Sequence, residues 1–318
     1  MICCFQVVDE HVLNSCTPSS PATFLFAYST DLAPRVIFDT FSLYSPLYAA
    51  QYSKLANVRF DLWDPEQIEY HSTFWQWNNS IYSHLPNPSL GHNSSGTGSD
   101  VVWIIDSFLE NTEAPICGSA LMIFLKRYPN KLDNPDIVAK LQKHNVFLHV
   151  VTALNPSGGR FSGALYDIAT RSNGFCIFEM DTKFQQAASW FAALNANPYL
   201  IYAVNANVSG TGSIVLPPLT SQYVESCLLL MTVQDHGVLD ASFQSIDLEW
   251  EAPGNNASVY QNHATLGGFI IGNFFGTNVI FNATTYNTTL NYNYTAMTQT
   301  LQIRIFSRHV TDYWPPYF

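Results

Sequence analysis

The sequence predicts an α/β fold, an open and mostly parallel sheet with helices on both faces, followed by an antiparallel β-sandwich. Three observations carry this. Up to about residue 195, continuous apolar runs of strand length alternate with helical segments, as strands buried on both faces require. Beyond that point the helical period vanishes, and short β-rich runs separated by Gly, Pro, Asn and Ser replace it. The composition is 47% hydrophobic and 14% aromatic with 12% charged residues, which supplies a large core and excludes global disorder. At 318 residues the chain is long for one domain. The expected division is a poorly ordered leader at 1–20, an α/β domain at 21–195 and a sandwich at 196–318.

The elements follow in order. Thr23 to Ser29 is a buried strand by its unbroken apolar run, and 35–54 is a helical stretch that Pro46 makes imperfect. "NVRFDLWD" alternates, with Val58, Phe60 and Leu62 on one face of a half-buried strand. "IEYHSTF" fits a short edge strand, and "FWQWNNSIYSHL" an aromatic helix whose Phe74, Trp75, Trp77 and Tyr82 pack under the sheet or stack on carbohydrate. A loop rich in Gly, Ser, Asn and Pro covers 86–99. "SDVVWIIDSFLENT" is a helix with Ser99 as its N-cap, and "SALMIFLKR" is a second buried strand. "NPDIVAKLQKHN" has proline near its first turn and Lys-His-Asn at its end, a helix with a clear start and stop. "VFLHVVTA" is a third buried strand, "GALYDIATRSNG" a helix closed by Asn173-Gly174, "FCIFEMD" a strand and "KFQQAASWFAALN" a last amphipathic helix. The sandwich is read from "YLIYAVNA", "CLLLMTV", "FQSIDLEW", "NVIFNATTY", "TLNYNYT" and "LQIRIFS". In the last of these Leu301, Ile303 and Ile305 oppose Gln302, Arg304 and Phe306.

A formal net charge of -11 without a basic stripe argues against a nucleic-acid partner. No apolar run approaches the roughly 18 residues of a membrane span. Six cysteines and seven Asn-x-Ser/Thr triplets, at Asn78, Asn93, Asn207, Asn256, Asn282, Asn287 and Asn293, favour a secretory, glycosylated protein. Residues 1–16 are no signal peptide, because they lack a basic start and Asp9, Glu10 and His11 interrupt the apolar run. The expectation is that the start is truncated or misassigned, or that the chain stays inside the cell. Secretion is the expectation taken forward.

The strings "FAYSTDL", "CGSALMIFLKRYPN", "NPSGGRFSGALYDIATRSNG", "PYLIYAVNANVSGTG", "MTVQDHG" and "LNYNYT" with "LQIRIFS" give the chain a family likeness. It resembles a nematode family of uncharacterised, mostly secreted proteins with a divergent von Willebrand factor A-like domain followed by a β-rich domain. The resemblance spans roughly residues 16–318. It implies a fold and a compartment, with no established activity. In A-like sheets the first and fourth strands are neighbours, so the resemblance also implies a Cys16–Cys117 disulfide.

A domains hold Mg²⁺ or Mn²⁺ at the carboxyl ends of their strands through Asp-x-Ser-x-Ser, a loop Thr and a later Asp, the oxygen ligands a hard cation takes. On this pattern Ala27 replaces the leading Asp, Ser29 is the first Ser, Asp31 the second, Thr97 the loop Thr, and Lys126-Arg127-Tyr128 replaces the acidic turn. A cation at Arg127 would repel a divalent ion by several kcal/mol at an effective dielectric of about 20. The expectation is a degenerate adhesion site with no metal and no cofactor, in which Arg127 or Lys126 makes a bidentate bond to Asp31. The loop "LNPSGGRFSG", with Ser157 and Arg160, is read either as an anion-binding nest or as a turn that needs glycine. "QDHG" places Asp235 beside His236, read as a turn in preference to an acid–base pair.

No Gly-x-Ser-x-Gly or His-Glu-x-x-His motif is present. The resulting reading is a non-catalytic secreted recognition protein, in host defence or extracellular matrix, that binds an extracellular protein or glycan. Its alternative is an enzyme acting on glycans or anions at Ser29, Thr97, Ser157 and Arg160. The candidate ligand-binding set is Ser29, Asp31, Thr97, Lys126, Arg127, Ser157 and Arg160.

Overall fold

A computed structural model describes residues 16–44, 50–267, 272–295 and 298–318. Strands β1 (Thr23–Ser29), β2 (Lys54–Phe60), β3 (Glu69–His71), β4 (Ala120–Leu125), β5 (Phe147–Ala153) and β6 (Phe175–Glu179) form one sheet in the order β3-β2-β1-β4-β5-β6. All neighbours are parallel except β3, which runs antiparallel to β2 at the edge. The sheet has cores on both faces because alternate residues of each buried strand point opposite ways. Phe24, Phe26 and Tyr28 meet helices α1 (Pro34–Phe41), α2 (Phe74–Ser83) and α6 (Phe184–Ala192). Leu25 and Ala27 meet α3 (Val101–Leu109), α4 (Pro135–Lys143) and α5 (Ala164–Arg171).

Several boundaries differ from the expected ones. Helix α1 ends at Phe41, short of the expected 35–54, of which 45–49 lie outside the described residues. Strand β2 is buried on both faces, because it lies between β1 and β3 under α2, so its alternation does not mark a solvent face. In α2, Trp77 is buried and donates its indole N–H to the Ala56 carbonyl at 3.0 Å, whereas Trp75 and Tyr82 are exposed and do not pack under the sheet. Helix α3 begins at Val101 with Asp100 at the N-cap position; Ser99, one residue earlier, still accepts the Val101 N–H at 3.2 Å.

Residues 1–15 of the expected leader, with Cys3 and Cys4, lie outside the described residues. Residues 16–20 form a turn closed by Thr17 and Ser20 and tied to the sheet by the Cys16–Cys117 disulfide. Among the described residues Cys176 and Cys227 are free and buried.

From Tyr199 the chain builds two four-stranded antiparallel sheets. One has the order β12 (Phe274–Phe281), β9 (Glu225–Thr232), β14 (Gln299–Ser307), β7 (Tyr199–Val208). The other is β11 (Asn255–Asn262), β10 (Phe243–Ala252), β13 (Thr285–Tyr294), β8 (Thr211–Thr220). Strands β8 and β11 were not legible from apolar runs. Both are edge strands, and the β8–β13 register shifts where Pro217 and Pro218 remove ladder donors.

The first of these sheets covers the open edge of β6. Gln302 accepts the Cys176 N–H at 2.9 Å, and Asn273 accepts the Phe178 N–H at 2.9 Å, so two side-chain amides satisfy donors that an edge strand leaves bare. Gln302 also donates to Thr170 at 2.8 Å. Arg304, fully buried, donates to the carbonyls of Asn173, Gly174, Val204 and Ile303 and to Asn205 Oδ1 at 2.9 to 3.2 Å. The Gln302, Arg304, Phe306 face therefore packs against the α/β unit. Leu228, Phe274 and Phe306 share one core with Phe175 and Phe191.

Replacing Gln302 with Leu strands the Cys176 N–H in a dry interface, where an unsatisfied donor costs about 1–3 kcal/mol. The urea midpoint should fall accordingly, and an unchanged midpoint would show that the β6 edge does not depend on this amide.

Candidate functional site

The carboxyl ends of β1, β2 and β4 converge with the 86–99 loop and the turn at 154–163. At their centre is Arg127, only 2% exposed. Its Nε donates to Asp31 Oδ2 at 2.9 Å, and Nη2 stands 2.8 Å from the same oxygen in an ion pair. Its Nη1 donates to the carbonyls of Ser94 and Thr97 at 2.8 and 2.9 Å, and Nη2 also donates to that of His92 at 2.9 Å. All three guanidinium nitrogens thus donate, in four hydrogen bonds. The expected partnership of Asp31 and Arg127 is present, but Nε and Nη2 face one carboxylate oxygen and do not make a two-oxygen fork. Ser157 Oγ donates to the same Asp31 oxygen.

Lys126 does not join them. Its ammonium pairs with Asp181 at 2.7 Å and donates to the Asn155 carbonyl at 2.6 Å. Thr97 contributes its backbone carbonyl to Arg127. The loop around Arg160 does not present an anion nest, because its donors are taken. The N–H groups of Ser157, Gly159 and Phe161 bond to the carbonyls of Lys126, Ser95 and Pro129. Gly158 leaves room for the guanidinium, since a Cβ there would collide with Arg127 Nη1; Gly159 has φ +81° and lies against the Tyr128 carbonyl. The turn needs its glycines, and the Arg160 side chain points to solvent.

Asp61 was not singled out in the sequence. It follows β2 with φ +65°, is fully buried, and joins Ser29 and Ser99, whose hydroxyls donate to its two oxygens at 2.6 Å each. Asp100 Oδ1 accepts the Asp61 N–H at 2.8 Å. Burial, with Asp100 adding to it, raises the Asp61 carboxyl well above the ordinary carboxylate range, against the opposing hydrogen bonds from Ser29 and Ser99. The available signal was an acid within a strand that a parallel sheet buries on both faces.

These residues do not fit a divalent cation. Asp31 Oδ2 and both Asp61 oxygens already accept hydrogen bonds, and a buried guanidinium stands beside Asp31. Among the described residues no group of three or more His, Cys, Asp or Glu is arranged to hold a metal.

Around this locked centre lies an exposed rim. Trp63 is 64% exposed and meets His92 edge-on at 5.2 Å between ring centroids. Leu90 and Phe161 are exposed on the same end of the sheet. In the distant "QDHG" turn, His236 lies between Asp235 at 3.2 Å and Asp240 at 2.9 Å, and its hydrogen bonds to these carboxylates raise its pKa to about 9. Gln234 donates to three carbonyls of the same turn, which supports its reading as a loop organiser. Of the sequon asparagines, Asn93, Asn207, Asn256, Asn282 and Asn287 are exposed. Asn78 and Asn293 are half-buried, and Ser80 of the Asn78 triplet is engaged by Asn57 and Glu69.

A family model described as Domain of unknown function (DUF7154) matches residues 204–308. No curated protein matches the sequence. Among solved structures the chain is similar to a von Willebrand factor type A protein from Catenulispora acidiphila, with TM-score 0.40 and 9% identity over 91% of this chain and 62% of that one. It is also similar to the human COPII-coat protein Sec24c, with TM-score 0.38 and 10% identity over 91% of this chain and 43% of that one. BatB from Bacteroides thetaiotaomicron, a conserved hypothetical protein, gives TM-score 0.38 and 15% identity over 55% of this chain and 99% of that one. The chain thus spans less than two thirds of the length of the first two.

Two predictions follow from the site's geometry. Asp31→Asn leaves the Arg127 charge buried without its partner, and loss of about 3–5 kcal/mol is expected in chemical denaturation; a loss below 1 kcal/mol would remove Arg127 from its organising role. Asp61 holds its proton to higher pH in the folded chain than in the unfolded one. Its contribution is therefore fully present below the ordinary value of 3.8 and is lost as pH rises through the raised folded value. Asp61→Asn, which suits the left-handed backbone, should raise stability at pH 7 and flatten the decline between pH 4 and 7. A variant less stable than wild type at pH 7 would count against a neutral Asp61.

Proposed function

We propose that the protein is a non-catalytic, secreted interaction protein that recognises an extracellular protein surface without a metal ion. The observation that supports this most is the buried Arg127 centre, whose four hydrogen bonds and ion pair to Asp31 hold the loops that an adhesion site would otherwise organise around a cation. With the charged groups paired below it, the rim offers exposed Trp63, Leu90 and Phe161, and aromatic anchors of this kind dominate binding energy at protein interfaces. The disulfide and the five exposed sequon asparagines support the secretory route. The enzymatic alternative has less support, because Ser29 and Ser157 donate their hydroxyl protons to Asp61 and Asp31.

Protein secreted from a eukaryotic host should lose mass on glycosidase treatment, and its Tm should not move with millimolar Mg²⁺ or Mn²⁺. A rise in Tm abolished by Asp31→Ala would overturn metal independence. On an array of extracellular proteins in EDTA, Trp63→Ser should weaken binding by about tenfold or more while leaving Tm unchanged. Binding insensitive to Trp63→Ser, or dependent on divalent ions, would refute the rim as the recognition face.

A further inference from the structure

At the opposite end of the sheet the structure is open. A cavity of about 360 Å³ lies where the amino ends of β4 and β5 meet the start of β7 and the end of β14. That volume is in the range of small-molecule sites. Phe147, Leu200, Phe306 and Trp314 supply its apolar walls. One wall is held in place covalently: Cys117 precedes Gly118 in the lining, its disulfide partner Cys16 accepts the Trp314 indole N–H at 3.0 Å, and Gly118 at φ +65° packs on the same indole.

Two polar side chains of the lining, His149 and Arg308, bear on what the cavity could hold. His149 is 3% exposed, and its Nδ1 has no hydrogen bond among the described residues. His149 Nδ1 is one of several buried side-chain polar atoms without a partner among the described residues, and it is one that belongs to a cavity-lining side chain; an unsatisfied buried group carries a penalty that a partner relieves. Burial, reinforced by nearby Arg304, lowers His149 to about 3, so it is a neutral hydrogen-bonding group at physiological pH. Arg308 is exposed at the lining and makes no ion pair or hydrogen bond among the described residues. No Asp, Glu or Lys is among the described lining residues. In a chain of formal net charge -11, an acid-free hollow with one unpaired guanidinium selects for an anion.

We propose that this cavity is a binding site for a small aromatic monocarboxylate. Its ring lies among Phe147, Phe306 and Trp314, its carboxylate meets Arg308, and a hydroxyl at its far end meets His149. The site is independent of the protein-binding rim, because the two lie at opposite ends of the same strands.

The full-length oxidised protein would be titrated with 4-hydroxyphenylacetate, 4-hydroxyphenethyl alcohol and phenylacetate, with calorimetry and Trp314-sensitive fluorescence as readouts. 4-Hydroxyphenylacetate should bind, the alcohol about tenfold more weakly for want of the carboxylate, and phenylacetate about tenfold more weakly for want of the hydroxyl. Arg308→Gln, at an exposed position that leaves Tm unchanged, should abolish the preference for acid over alcohol. Trp314→Phe should remove the fluorescence response and retain the heat of binding. No binding of 4-hydroxyphenylacetate at millimolar concentration would overturn the proposal. So would an acid preference that survives Arg308→Gln, or equal binding of the hydroxylated and unhydroxylated acids.

Discussion

The carboxyl end of the sheet depends on one buried guanidinium whose three nitrogens all donate. Arg127 sits just past β4 and reaches Asp31 from β1 and three carbonyls of the 86–99 loop. That loop has no regular secondary structure beyond one turn of 3-10 helix, so little in its own sequence fixes its path. A planar fork with no freedom to deprotonate is suited to tie such a loop down. A lysine there would supply a point charge and three donors, too few for the same set of acceptors. The same geometry dictates small residues around it, which is why Gly91 faces Asp31 and Gly158 faces Nη1.

A second arginine solves a different problem by the same chemistry. Arg304 has no carboxylate partner among the described residues, and burial lowers it to about 9, yet its donors end on carbonyl or amide oxygens of the α5–β6 turn, of β7 and of β14 itself. Together with Gln302 and Asn273 it joins the sandwich to the α/β unit through polar contacts that an edge strand requires. The junction is specific for that reason: sliding it by one strand position would leave several buried donors unsatisfied at once.

Much of this architecture was legible from the sequence. Unbroken apolar runs located β1, β4, β5 and β6, since a strand covered on both faces has no polar alternative. The loss of helical period located the start of the sandwich near Tyr199. The chemistry was legible where charge appears in an unusual place, as with Arg127 beside the expected cation position. It was not legible where the decisive feature is backbone direction. Asp61 looked like a solvent-facing residue of an alternating strand, but the chain turns at φ +65° and puts its carboxyl between Ser29 and Ser99. Alternation set Gln302 and Arg304 opposite the apolar face of their strand, but it reports polarity and cannot report what packs against them. The prolines of β8 hid a strand that survives only because it is at an edge.

These arrangements bear on where recognition takes place. A metal-dependent adhesion site binds through an open coordination position that a partner's carboxylate completes. Here the equivalent oxygens are already used within the chain, and the cation is a side chain with no vacant donor. An acidic partner residue would gain nothing by approaching Arg127, and it would have to displace Asp31 from a buried pair to do so. Whatever binds at this end must therefore use the rim, where Trp63, Leu90 and Phe161 present apolar area that solvent currently covers. The Asp31–Arg127 pair closes the centre, and the exposed side chains of Trp63, Leu90 and Phe161 lie around it.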